Sequence, residues 1–259
     1  MMYFTDQELL AFIGHYFFPF CRIGAFFLAV PIIGTQLVSA RIRVVLSIMV
    51  TMLVAPLIPN SVIIPGLNLQ TLIVVMQQII IGIAMGFIVQ IVFQLFVLAG
   101  QFIAMKIGLG FASMNDPSSG VTVTVISQFY MMTSTLLFLS LNGHLILVEV
   151  LTKSFSALPM SLSGLSQTGL MEIVSMGSWM FESALVVALP VLTSLLVVNI
   201  AFGVMSRSAP QMNVFAVGFP ITLVFGLLLL WFSFTSFLPN YQTLVNEGLL
   251  KLNMIIGIP

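Results

Sequence analysis

The sequence predicts an all-α protein of the integral membrane type, built from about six broken hydrophobic helical regions. Three observations carry this. Sixty per cent of the 259 residues are apolar and five per cent are charged, where a soluble domain averages about 25% charged, so there is too little charge to cover a globular surface. The apolar residues fall in runs long enough to cross a bilayer, which takes about 20 residues of helix. Proline and glycine punctuate nearly every run, as in helices that lean on protein rather than on lipid alone.

The same composition excludes several functions. Formal net charge is zero, so nothing argues for nucleic acid. The single cysteine, Cys21, allows no intrachain disulfide and reads as a small buried hydrophobe. The two histidines lie far apart in the chain, and no CxxC, HExxH or GxxxxGK is present. Zinc and nucleotide sites therefore lack support, and no cofactor is expected. Without paired carboxylates or a nucleophile beside a base, the chain is not expected to be an enzyme.

The start, MMYFTDQELL, is acidic and lacks a basic leader segment, so it does not read as a cleavable signal peptide. Thr5 and Glu8 have the spacing of a capping box. The first apolar region, 7–33, contains Pro19 and Pro31, where a kink and an end are expected. Arg22 lies near its middle, and a mid-span arginine faces a partner or a cavity; an ion pair or carbonyl contact is the first expectation, a transport role the second. Arg41 and Arg43 precede a short second region, 44–57, and the stretch 59–69 that follows carries no charge. The third region, 70–105, is too long for one straight span. Gln90, Gln94 and Gln101 share one of its helical faces; amides lose hydrogen bonds in lipid, so they should face protein or water. Gly82 and Gly86 form a GxxxG, read as close helix packing.

A polar run then interrupts the chain: KIGLGFASMNDPSSGVTVTV, from Lys106 to Val125. Its glycines, serines, asparagine and proline are turn formers. It is either a loop outside the membrane or irregular backbone that lines an internal path. The fourth region, 125–151, is broken at Asn142-Gly143-His144. His144 is either a proton relay or a packed, satisfied histidine. A Ser/Gly/Pro-rich connection, 153–171, leads to the fifth region, 173–205, with Pro190 and the lone carboxylate Glu182. Glu182 is a candidate functional site or an interhelical hydrogen-bonding group. Arg207, Pro210 and Asn213 make a tight polar hairpin, and the sixth region, 214–238, breaks at Pro239-Asn240 before an amphipathic tail. If all six regions span, Arg41, Arg43, Lys106 and Arg207 fall on one side and Lys153 and Lys251 on the other, a weak positive-inside signal.

Four stretches, QQIIIGIAMGF (77–87), GLGFASMNDPSSG (108–120), FLSLNGHL (138–145) and SRSAPQMNVFAVGFPITLVFG (206–226), occur in this order along the chain. In order and spacing they resemble the FliR family of flagellar biosynthetic proteins, which includes the export-gate subunit of virulence type III secretion systems. The resemblance covers essentially the whole chain and is closer to the flagellar branch. It implies a one-copy subunit of a core export gate, built with FliP-like and FliQ-like subunits into a closed helical cone in the bacterial inner membrane at the flagellar basal body. Much of the subunit would sit above the membrane plane. It implies a FliP-like part, residues 1–168, with a plug loop at 106–125, and a FliQ-like hairpin with the C-terminal tail, residues 169–259. It also implies FlhB-like and FlhA-like partners and unfolded exported flagellar proteins as cargo. The matching plug residues are Gly110, Phe111, Ala112, Ser113, Met114, Asn115, Asp116 and Pro117. A loop with glycine hinges can fill a lumen and swing aside, Phe111 and Met114 supply bulk, and Asp116-Pro117 sets a turn.

The competing expectation is a small-solute or ion transporter, for which broken helices with Arg22, His144 and Glu182 inside them are the expected features. It lacks a convincing internal repeat. A lipid-acting enzyme would need clustered His or Asp at a membrane face, which the sequence does not offer.

Overall fold

The structure is a computed structural model that describes residues 6–35, 38–58, 68–109, 124–162, 164–208 and 214–258. All regular structure among them is helical. In chain order the helices are α1 (Asp6–Ala29), α2 (Ala40–Val54), α3 (Leu69–Ile107), α4 (Val125–Ser140), α5 (Gly143–Ala157), α6 (Gln167–Ser208), α7 (Val214–Ser233) and α8 (Phe237–Ile256). Single 3-10 turns follow α2 at Ala55–Leu57 and α7 at Phe234–Ser236.

Several boundaries follow from local chemistry. The long third region forms one unbroken helix of 39 residues, since it contains no proline and its glycines are backed by packing. Helix α6 runs for 42 residues through Pro190, and α1 runs through Pro19 to stop two residues before Pro31. The break expected at 142–144 is present. Asn142 adopts φ 57°, a left-handed conformation that asparagine tolerates, and α4 and α5 are bent by 71° about it. Gly143 is required there, because a Cβ would lie 2.4 Å from the ring of Phe138.

The break expected at Pro239-Asn240 is displaced. It occurs at the 3-10 turn Phe234–Ser236, and Pro239 falls in the first turn of α8, where a missing N–H leaves no helical bond unmade. Hydroxyls in the apolar helices are met by their own helix: Ser47 donates to the Arg43 carbonyl at 2.8 Å and Thr51 to the Ser47 carbonyl at 2.6 Å. The capping box expected at Thr5 lies outside the described residues.

The chain forms two compact units, each gathered from separate stretches of sequence. The first comprises Met1–Ile91, Phe138–Gly177 and Glu247–Pro259, the second Val92–Leu137 and Ser178–Asn246.

In the first unit, α1 lies against α3 at the GxxxG. A Cβ on Gly82 would stand 2.3 Å from the Arg22 carbonyl oxygen, and one on Gly86 2.5 Å from Ala29 Cβ. Backbones can approach this closely only where side chains are absent. Phe26, Ile81, Met85, Ile88 and Leu151 fill the core around this contact.

In the second unit an aromatic cluster forms the core. Phe237 stacks on Phe234 with centroids 5.1 Å apart and meets Tyr130 edge-on at 5.2 Å. Phe96 lies 5.1 Å from Tyr241, whose hydroxyl donates to the Ser134 carbonyl at 3.0 Å. Such ring pairs add to the energy of burial.

Candidate functional site

The polar run 106–125 leaves α3 and enters α4, and both helix ends are fixed in the second unit. At the first end, Gly108 takes φ 95°, a conformation that favours glycine. Its N–H donates to the Met105 carbonyl at 3.2 Å, and the Leu109 N–H to the Ala104 carbonyl at 3.0 Å. This is a Schellman termination, which satisfies carbonyls that a helix end leaves without donors. At the other end the Thr124 hydroxyl accepts from the Ser127 N–H at 3.4 Å and pairs with the Ser127 hydroxyl at 3.0 Å, an N-cap for α4.

The two ends are also tied to each other. Ser127, fully buried, donates to Gln101 Oε1 at 3.2 Å. A Cβ on Gly100 would stand 2.7 Å from Ser127 Cα, so α3 and α4 touch backbone to backbone. Helix α7 closes on the same place. A Cβ on Gly226 would be 2.5 Å from Ile107, and one on Gly108 2.8 Å from the Phe219 ring. The segment between Leu109 and Thr124 therefore starts and finishes on a braced frame. The expected plug residues, Gly110, Phe111, Ala112, Ser113, Met114, Asn115, Asp116 and Pro117, lie outside the described residues.

The glutamine row divides. Gln101 is half-buried in the frame, whereas Gln90 and Gln94 are exposed and have no hydrogen-bond partner among the described residues. Apolar residues precede them on the outer side of α3: Met76, Ile80, Ile83 and Phe87 are all exposed. Among the described residues the outer side of α3 thus passes from apolar to amide.

Arg22 is held in the first unit by oxygen acceptors. Its guanidinium is fully buried. Nε donates to Gln78 Oε1 at 2.9 Å, Nη1 to the Ser154 carbonyl at 2.8 Å and its hydroxyl at 3.1 Å, and Nη2 to the Leu158 carbonyl at 2.7 Å. The ring of Phe155 lies 4.2 Å from the guanidinium carbon. Ser154 and Leu158 stand at the C-terminal end of α5, where the negative end of the helix dipole favours a cation; the Ser154 carbonyl also accepts the Leu158 N–H at 2.9 Å. The carbonyl contact expected of a mid-span arginine is the one found. Nothing in the sequence marks Ser154, Leu158 or the role of Gln78, because each becomes a partner only through packing.

The other polar candidates are not drawn into this site. His144 is exposed at the start of α5, and neither it nor Glu182 is among the partners of Arg22. Glu182 is exposed on α6. No group of three or more His, Cys, Asp or Glu side chains that could hold a metal is formed among the described residues.

Four helical stretches among the described residues are long and apolar enough to cross a membrane: Ala40–Leu57, Leu69–Ile107, Gln167–Ser208 and Gly218–Ile256. The bent pair α4–α5 makes a fifth if counted as one span. This defines an all-helical membrane protein in which the end of α3 and the start of α4 are braced against each other. The chain belongs to the bacterial export proteins, family 1, which its residues 13–248 match. It is similar to the flagellar biosynthetic protein FliR of Escherichia coli (strain K12), with 36% identity over 89% of this chain and 88% of that protein. The FliR proteins of Aquifex aeolicus (strain VF5) and Bacillus subtilis (strain 168) are 28% and 27% identical to it, over 88% and 82% of this chain and 87% and 82% of theirs.

Proposed function

We propose that this chain is a subunit of the flagellar type III protein export gate, helping to form and close the channel through which unfolded flagellar subunits leave the cytoplasm. Its membership of an export-protein family along nearly its whole length carries this reading. The partners are FliP-like and FliQ-like subunits in one hetero-oligomeric helical complex, with FlhB-like and FlhA-like proteins at the cytoplasmic side. The first part of the chain, 1–168, corresponds to the FliP-like portion, and 169–259 to the FliQ-like hairpin and tail. The complex belongs to the inner membrane at the basal body.

Helix length supports a position partly above the membrane plane. At 1.5 Å per residue, α6 with 42 residues is about 63 Å long, roughly twice the hydrocarbon thickness of a bilayer. Exposed apolar residues continue toward both ends, Met171 and Val174 at one and Val204 and Met205 at the other, among exposed polar residues that include Glu172 and Arg207. Lipid alone cannot cover such a helix, and neighbouring protein can.

In this reading the loop after Leu109 plugs the channel. The braced helix ends support it: a plug must be free to move while its roots stay still, and the Gln101–Ser127 bond and the Gly100 contact hold the roots together. Deleting 110–117 in the co-expressed complex tests this. The complex is expected to assemble at the normal size and to leak ions across the cell membrane. An assembled deletion complex with the conductance of the intact one removes the gating role. A chain that purifies as a stable, solute-binding monomer or dimer removes the export reading itself.

A further inference from the structure

Seven basic and seven acidic residues make up the charge of the chain, and the described ones show how the fold places them. Lys153 pairs with Glu149 at 2.7 Å and Lys251 with Glu247 at 3.9 Å, each one turn apart on its own helix. Arg22 is buried among oxygens, and Arg43 donates to the Val38 carbonyl at 2.9 Å. Glu182 fits none of these patterns.

It stands fifteen residues into α6, with apolar helix on both sides. The inner side of α6 at this level is Ser183, Ala184, Val187, Ala188 and Val191, all buried. Glu182 points the other way. On its exposed face are Ser178, Phe181, Leu185, Val186 and Leu189, and no ion pair or hydrogen bond reaches its carboxylate among the described residues. Helix α6 is one of the stretches able to cross a membrane. A carboxylate on the outer face of such a helix is poorly served by lipid, and inside a membrane charged groups find partners.

A second feature lies one turn along the same face. Residue 190 is proline, which has no N–H to give the Val186 carbonyl. The face therefore carries a carboxylate and, four residues on, a backbone carbonyl deprived of its usual helical donor. Both are acceptors. The complementary group is a cation with several donors, arginine first and lysine second. Arg22 shows that this protein already seats a guanidinium on backbone carbonyls within apolar helices.

We propose that the Glu182 face of α6 docks an apolar helix of another subunit, and that this helix presents an arginine or lysine to the Glu182 carboxylate and the Val186 carbonyl. The apolar residues Phe181, Leu185, Val186 and Leu189 pack against that helix, and the charge pair fixes its register. The proposal rests on the reading of this chain as an export-gate subunit.

The test uses the full chain co-expressed with the other export-gate subunits, and compares wild type with Glu182→Gln, Glu182→Leu and Glu182→Lys. Chain level in the membrane and yield of solubilised complex are measured separately. Removing one member of a buried charge pair weakens an interface by about tenfold or more, so complex yield relative to chain level is expected to fall about tenfold for Glu182→Leu and further for Glu182→Lys. Suppressors that restore assembly of Glu182→Lys are expected to replace an arginine or lysine in an apolar helix of a partner. A photo-crosslinking side chain at Leu185 is expected to join that same partner. If Glu182→Leu assembles as wild type does, or Leu185 yields only lipid adducts, the face meets lipid and the proposal is overturned. If the wild-type chain itself recovers no partners, the export-gate reading has failed, an outcome distinct from the first.

Discussion

A guanidinium taken out of water loses strong hydration, and each of its donors then needs an oxygen. Arg22 obtains these from Gln78, Ser154 and Leu158, with no carboxylate among them. Acceptors at a helix C-terminus suit the task, since they carry the partial negative charge of the helix dipole. One side chain thereby fastens α1 to α3 and to the end of α5. Replacing it with leucine leaves the Leu158 carbonyl and the Gln78 amide oxygen short of a donor, whereas the Ser154 carbonyl keeps the Leu158 N–H. Each such group costs about 1–3 kcal/mol, so Arg22→Leu is expected to destabilise the first unit by about 2–6 kcal/mol. Arg22→Lys keeps the charge but has a single nitrogen that cannot reach Gln78 and Leu158 together, and it should recover less than half of that loss. Thermal unfolding of the solubilised protein checks both; a lysine variant as stable as wild type would show that charge alone suffices. The need for a partner at position 22 was legible in the sequence, because arginine inside an apolar run is costly wherever it points. The partners were not, since they lie 56, 132 and 136 positions away.

At the scale of elements, apolar run length and special backbone residues decided most of what could be read ahead. The unbroken α3 follows from a run without proline, and the α4–α5 bend follows from Asn142-Gly143. Pro239 misled because a proline that ends one helix looks the same in sequence as one that opens the next. The frame around the proposed plug was hidden for a related reason. Gly100, Gly108 and Ser127 resemble other small residues until the helices that meet there are known. Their packing gives a graded prediction. Gly100→Ala places a methyl 2.7 Å from Ser127 Cα, a backbone atom that cannot turn aside. Overpacking of this kind costs about 1–3 kcal/mol and should loosen the Gln101–Ser127 bond. Gly108→Ala forces φ 95° on a residue with a Cβ and sets that Cβ 2.8 Å from the edge of the Phe219 ring, a side chain that can give way where backbone cannot; it is expected to cost about 1 kcal/mol. Gly203→Ala, with no atom of the described residues within 4 Å, is expected to be neutral or to stabilise the isolated chain by up to about 1 kcal/mol through helix propensity. Melting temperatures in detergent should fall in the order Gly203→Ala, Gly108→Ala, Gly100→Ala; a different order removes the frame from the account of the loop.

For the whole molecule the question is what covers its apolar exterior. Exposed residues such as Leu72, Met76, Ile83, Val174, Val186, Val197 and Val204 belong to α3 and α6, which are 39 and 42 residues long. A bilayer hides about 20 residues of helix. A helix that merely crosses the membrane must therefore leave one or both ends in water, where exposed valine and methionine at those ends are unfavourable. A helix enclosed by other subunits is hidden along its whole length. Thiol labelling in intact membranes separates the two cases. With Cys21 replaced by alanine, single cysteines are placed at Val174, Leu189 and Val204 and exposed to a membrane-impermeant maleimide from both sides. In the chain expressed alone, Val174 or Val204 is expected to react and Leu189 to be protected by lipid. With the partner subunits present, all three positions are expected to be protected, and labelling at the reactive end should fall about tenfold, in keeping with the exclusion of water at a packed interface. Unchanged labelling at the ends in the presence of assembled partners would place α6 in the membrane as a simple span with water at its termini. That result would also remove the argument from helix length for a subunit seated partly above the bilayer.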